Sequence, residues 1–402
     1  GEGWWGYGRP LRTQKKGLAK DFTDGAGLPS PGRWRIHDRR LPNHDVARAL
    51  KVVLREALLG MEADLPGGSL RSAVIAMAGG GLTENPFPKP KLDELRRRIR
   101  RTLAEHGFDE GLPRQGDAPQ RTEVRLIQSL LRAFEDPDWY FVEWWARGVW
   151  LGSPTRPLPR APAIYERKTK WAHWKEENES LHGEWQTNYS SLREHEEKVA
   201  AQYDAEIAEN LMEKISLGEA LERYGEHLLI AATGAIAKKG TNGEIRVIYD
   251  GTNGIYLNYG IKIRDQVRFP TSPDIKAVIA EVHDEGGSHW MLLFDVSKAH
   301  RRIPVLPEEW GRQASQIRGS AAATAQATRS REASTKGQGA PKPRPLRRSD
   351  LTPKELAEDV YINKVGTFGV SSAGYWWGRA GGAAMRLGHY FGGSHEALWA
   401  LL

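Results

Sequence analysis

The sequence contains no cysteine. Disulfide frameworks, thiolate metal sites and cysteine nucleophiles are therefore all excluded. It also lacks a long apolar run: the longest stretches, such as residues 228–237, fall well short of a bilayer span. No secretory leader is visible, and an opening Gly1 in place of methionine leaves targeting undetermined. Acidic residues are scarce in one segment. Residues 311–349 hold nine Lys and Arg against the single acid Glu332, a local charge of +8 in a chain whose net charge is +7. The rest of the chain comes to −1, so the basic balance of the whole is poor evidence for nucleic-acid binding. Any binding surface must be a local patch.

That basic segment is rich in Ala, Ser, Thr, Gln, Arg and Pro and has no apolar period, which predicts a disordered insertion. Its cations could hold RNA loosely or simply be solvated. The whole chain of 402 residues, 39% hydrophobic and 27% charged, has the balance of a globular protein of about two or three domains. Residues 1–43 are rich in Gly, Pro, Arg and Trp without a sustained period and read as loop or disorder.

Apolar spacing predicts helices over 45–61, 91–106 and 123–134, making residues 44–152 a helical N-terminal region. The helix over 91–106 crowds Arg96, Arg97, Arg98, Arg100 and Arg101 around a Leu92, Leu95, Ile99, Leu103 stripe, a face for phosphates or for solvent. Asp136-Pro137-Asp138 reads as a helix cap before Trp139-Tyr140-Phe141-Val142-Glu143-Trp144-Trp145. Aromatic residues on nearly every side of that helix predict burial between neighbours. Residues 153–165 form a Pro-rich linker. A long charged helix over about 192–214 then carries Val199, Tyr203, Ile207 and Leu211 as a packed strut.

Ser216-Leu217-Gly218-Glu219 is a capping box opening a short helix. Residues 234–239 and 244–250 flank a Gly240-Thr241-Asn242-Gly243 turn and predict a hairpin, with Lys239 and Arg246 on opposite strands. Five consecutive apolar residues, Trp290 to Phe294, then run into Asp295. Such a run predicts a strand buried on both faces, with a carboxylate at its end. Burying that carboxylate is costly, so it needs a partner: either a divalent cation or the amides of the next turn. Residues 361–365 predict a second strand, and Gly366-Thr367-Phe368-Gly369-Val370 opens a helix of small residues ending near Leu387-Gly388.

Asp295-x-x-x-Ala299-x-x-x-Ile303-Pro304-Val305 resembles the first palm motif of reverse transcriptases. The hairpin resembles the fingers hairpin of that family, with Lys239, Arg246 and Asp250 at its basic and acidic positions, and 366–369 resembles the second palm motif. The resemblance covers about residues 219–389 without the insertion. It implies an α+β chain with an incomplete polymerase right-hand fold, fingers plus partial palm, behind a mostly helical N-terminal region. By the same resemblance Asp295, assisted by the Val296 carbonyl, would bind Mg2+. Lys239 and Arg246 would hold the triphosphate, as a point charge and a bidentate fork respectively. His300 would lie beneath the incoming sugar, and Phe368 and Gly369 would meet the nascent base pair. The implied partners are an RNA template, a nucleic-acid primer and nucleoside triphosphates, with no membrane.

Three departures stand out. His300 replaces the Tyr or Phe that excludes a 2'-hydroxyl, Thr367 replaces a Pro, and residues 251–258 make a longer excursion than the family's short turn. The family's third motif, a pair of aspartates completing a two-ion site, has no match: after Gly369 the only acid is Glu396. The expectation is a fragment that does not polymerise as it stands. A non-catalytic nucleic-acid-binding relic or adaptor is the alternative. A viral-type RNA-copying polymerase fits less well, since those enzymes generally place a second Asp where His300 stands.

Overall fold

A computed structural model describes residues 44–82, 84–108, 122–153, 155–161, 166–167, 185–238, 240, 243–261, 263, 265–266, 272–273, 275–276, 279–280, 296–318 and 346–392. The expected irregular N-terminus (1–43), Lys239, the strand ending in Asp295, most of the basic insertion and Glu396 lie outside the described residues. Among the described residues no helix is long and apolar enough to cross a membrane.

The chain is α+β. Its N-terminal part is helical: α1 (His44–Glu62), α2 (Leu70–Ala78), α3 (Lys89–Glu105), α4 (Val124–Ala133) and α5 (Phe141–Arg147). On α3, Ile99 and Leu103 are buried, while the arginines around them are partnered: Arg96 with Asp93, Arg97 with Glu94, Arg98 with Glu56 and Arg100 with Glu123. The basic face is thus largely neutralised by local carboxylates. Helix α5 is buried through Phe141, Val142 and Trp145, as its all-round aromatic surface predicts. Two indole N–H groups of this region are anchored: Trp145 donates to the Arg302 carbonyl at 2.9 Å and Trp150 to that of Pro157 at 3.1 Å. Leu158, in the expected Pro-rich linker, is fully buried, and the Pro159 carbonyl accepts from Tyr375. This stretch is fastened to the body of the protein.

The chain continues through β1 (Glu166–Arg167), α6 (Ser190–Glu194), α7 (Glu196–Ala208), β2 (Met212–Ser216), α8 (Leu217–Tyr224), β3 (Ile230–Ala231), β4 (Thr233–Ala237) and β5 (Ile245–Tyr249). The expected strut over 192–214 breaks into α6, α7 and the start of β2. Asn210, at φ +57°, stops it: the Leu211 amide bonds the Glu206 carbonyl at 2.9 Å and the Asn210 amide that of Ile207 at 2.8 Å. That pair of bonds is a Schellman close with asparagine in the left-handed position. Val199, Tyr203 and Ile207 therefore share a helix, whereas Leu211 lies beyond it. Half of the expected capping box forms at Ser216: its hydroxyl accepts from the Glu219 amide at 3.1 Å, whereas the Glu219 carboxylate pairs with Arg223 one turn on.

After α9 (Leu257–Gly260) and β6 (Asp265–Gln266) come β7 (Ala314–Ser315), α10 (Pro353–Leu356), β8 (Asp359–Asn363) and α11 (Ser371–Gly392). The main sheet has the order β2-β8-β7-β3, antiparallel except for the parallel pair β3–β7. Strand β8 begins two residues earlier than the expected 361–365, and Val365 instead bridges Pro304. Residues 311–317, expected to open the irregular insertion, pack into the body of the protein: Gln313 and Ser315 are fully buried and β7 is an inner strand. A two-residue strand carries too little periodicity to be read locally. One core runs from Val46 on α1 to Tyr390 on α11, so the helical N-terminal part and the sheet share a single apolar interior.

Candidate functional site

The predicted hairpin is β4 and β5, antiparallel, with Ile236 opposite Arg246. Its chain leaves the main sheet at Ala232, whose carbonyl accepts the Asp250 amide at 2.9 Å, so the base of the hairpin is stitched to the sheet edge. Asp250 then organises the excursion over 251–258. Its carboxylate accepts from the amides of Thr252 and Asn253, both at 2.9 Å, from the Asn253 side chain at 2.8 Å, and from Tyr189 at 2.5 Å. Partial burial pushes this carboxyl up, but the bonds from Tyr189, Asn253 and Thr252 outweigh it and leave its pKa below the usual range.

The excursion ends by gripping the predicted second-motif turn. Asn258 donates to the Gly369 carbonyl at 2.8 Å and accepts the Ser371 amide at 2.8 Å, one of the unpaired amides at the start of α11. Gly369 has φ +105°, and a Cβ placed on it would lie 1.9 Å from the Tyr249 carbonyl oxygen at the end of β5. Only glycine allows this approach. On the other side, the Gly366 amide bonds the Ile303 carbonyl at 2.9 Å, and a Cβ on Gly366 would lie 2.6 Å from the His300 carbonyl oxygen.

These contacts bring together residues from three separate parts of the sequence. The His300 and Phe368 rings stack with centroids 6.0 Å apart and planes 23° apart. The Arg246 guanidinium lies 5.6 Å from the centre of the Phe368 ring. Phe368 is 47% exposed, unusual for a large aromatic residue with an arginine beside it. Four of the sequence-predicted site residues, Arg246, His300, Phe368 and Gly369, therefore surround one solvent-facing surface. Val296 is 43% exposed. Lys239 and Asp295 lie outside the described residues. Reading the residues alone missed Asn258 and Tyr189. The Asp250-x-Thr252-Asn253 spacing was an available sign of a side-chain-capped loop.

Among the described residues no group of three or more His, Asp or Glu side chains could hold a metal ion. The donors the resemblance names are one carboxylate, Asp295, and one carbonyl, Val296. They do not amount to a two-ion site.

Burial lowers the His300 pKa below its ordinary value, because the charged ring would lose hydration. A base with a depressed folded pKa takes up its proton more readily when unfolded. Its effect is absent well above about pH 6.5 and costs stability as pH falls below that value. Thermal unfolding between about pH 7.5 and about pH 5 is expected to show a shallower loss of Tm in His300→Phe than in the parent. Parallel curves would mean that His300 does not change its protonation on unfolding.

Comparison with protein families, curated proteins and solved structures finds no match for this chain.

Proposed function

We propose that the chain carries the fingers and part of the palm of a reverse transcriptase of the retroelement kind, and that the surface around Phe368 receives a nucleotide and its templating base. The complete enzyme would extend a primer on an RNA template by nucleotidyl transfer from triphosphates, with Mg2+ as its cofactor. The observation that carries the reading is the meeting of Arg246, His300 and Phe368, chosen from three separated motifs, within ring-contact distance of one another. In this reading Arg246 offers phosphate oxygens a two-pronged grip. Phe368 supplies an exposed face for stacking. Gly369 lets the base pair approach the backbone, and His300 lies under the sugar.

The test is titration of the chain with a fluorescent deoxynucleotide and with a labelled primer–template in the presence of Mg2+. Arg246→Ala is expected to weaken triphosphate binding about tenfold or more, the scale of a lost charge-assisted hydrogen bond. Phe368→Ala should weaken both ligands. Equal affinity in Arg246→Ala and the parent, or no affinity for either ligand at millimolar concentration, would remove the nucleotide site. Binding of primer–template without triphosphate would favour the non-catalytic adaptor.

A further inference from the structure

Helix α7 lies outside the segments that resemble a polymerase, yet its C-terminal end reaches the turn that carries His300. Glu206 sits in the last turn of α7 and Glu209 just past it. A helix C-terminus is the negative end of the backbone dipole, so two acids there are disfavoured unless cations face them. Cations do. Arg301 pairs with Glu206, the two side chains being only 12% and 8% exposed, and Lys298 donates to Glu209 at 2.9 Å.

Arg301 is held further. It donates to the Asn363 side-chain oxygen at 2.6 Å, while the Asn363 amide group donates to the Gln313 carbonyl at 2.9 Å. Arg301 is thereby tied to α7, to β8 and, through Asn363, to the end of the 3-10 helix just before β7. Between the two anchored cations the backbone is tight. The Arg301 amide bonds the Lys298 carbonyl at 2.9 Å, the Ile303 amide bonds that of His300 at 3.2 Å, and Lys298 holds φ +52°. His300 has one anchored cation two residues before it and another directly after it, so its backbone cannot shift against Phe368 without breaking an ion pair or opening this turn.

We propose that Glu206 and Glu209 are positioning residues of the candidate site: α7 acts as an arm whose carboxylates hold Arg301 and Lys298 and so set the His300 ring against Phe368. The inference rests on the proposed nucleotide surface for its functional meaning, although the geometry it asserts can be tested without a nucleotide.

The experiment compares Glu206→Gln, Glu209→Gln and, as a control on the exposed side of α7, Glu197→Gln. The first readout is the NMR signal of the His300 ring, assigned by its loss in His300→Phe and displaced by the neighbouring Phe368 ring. Both arm variants are expected to move this signal toward its position in Phe368→Leu, and the control to leave it in place. The second readout is deoxynucleotide affinity, expected to fall about tenfold in Glu206→Gln and less in Glu209→Gln, the scale of a misplaced contact group. A folded Glu206→Gln protein with an unmoved His300 signal overturns the proposal. Should Glu206→Gln fail to fold, Glu209→Gln decides on the same signal, since that pair is about two-fifths exposed and its loss leaves the core intact. If the parent binds no nucleotide, the nucleotide reading fails, and the His300 signal still judges the arm.

Discussion

Gly369→Ala is expected to open the candidate site. The new methyl group would stand 1.9 Å from the Tyr249 carbonyl oxygen, which is backbone and has no rotamer to yield. Tyr249 itself is held in the core, with its hydroxyl donating to the Arg312 carbonyl at 2.8 Å. The φ of +105° adds strain for any residue with a side chain. Strain and overlap together should cost about 3 kcal/mol or more, and relief requires the 366–369 turn to leave the end of β5. The Asn258 bonds to Gly369 and Ser371 would then break, and Phe368 would move away from Arg246. Urea unfolding measures the cost, and hydrogen exchange at the Ser371 amide reports the opening. Gly374→Ala is the internal comparison: a Cβ at Gly374 meets nothing within 4 Å, and alanine suits a helix interior, so about 0.5–1 kcal/mol of added stability is expected. Equal effects of the two substitutions would contradict the close approach at Gly369.

Breaking one buried ion pair should have a comparable or larger effect. Asp138 and Arg379 are 1% and 0% exposed at their side chains, and Asp136 and Arg386 are 0% and 1%. Arg386 donates to both Asp136 oxygens, and Tyr390 adds a bond at 3.0 Å. Arg379 also lies 5.1–5.8 Å from the rings of Tyr140, Phe141, Trp144, Tyr375 and Trp376. Burial pushes the Asp138 carboxyl up against the pull of Arg379. Burial alone would lower the Arg379 pKa, but Asp138 and the surrounding hydroxyls hold it well above its ordinary value. The two side chains form a buried ion pair, and removing either partner strands the other.

Arg379→Met and Asp138→Asn should therefore each cost about 3–5 kcal/mol, while the double replacement recovers much of the loss because no lone charge remains. Against a typical stability of about 5–15 kcal/mol, either single change would leave the fold marginal. A double-mutant cycle in denaturant measures the coupling. Additive losses would show that Arg379 and Asp138 do not depend on each other. These pairs join the loop before α5 to α11, so the N-terminal helices are also expected to lose protection from exchange, in parallel with the sheet.

What the sequence determined by itself was local. Apolar spacing placed helices over 45–61, 91–106 and 123–134, which the structure has at 44–62, 89–105 and 124–133; turn residues placed the β4–β5 hairpin, and Ser216 placed a helix start. Each of these depends on neighbours within a few residues, so the signal lies in a short window. The tertiary structure decided the rest. Asp136 and Asp138 looked like a cap, and Asp136 does accept the Asp138 amide at 2.8 Å. Their main partners, however, lie 250 and 241 residues away on α11, where Arg379 and Arg386 stand two turns apart on a helix of mostly small and apolar residues. The Ala314–Ser315 strand is too short to carry a period, and it exists because β8 and β3 supply hydrogen-bond partners on both sides. The meeting of Arg246, His300 and Phe368 was likewise set by packing: Gly366 and Gly369 admit neighbouring backbone that no other residue would, and which backbone arrives is decided only when the chain closes on itself.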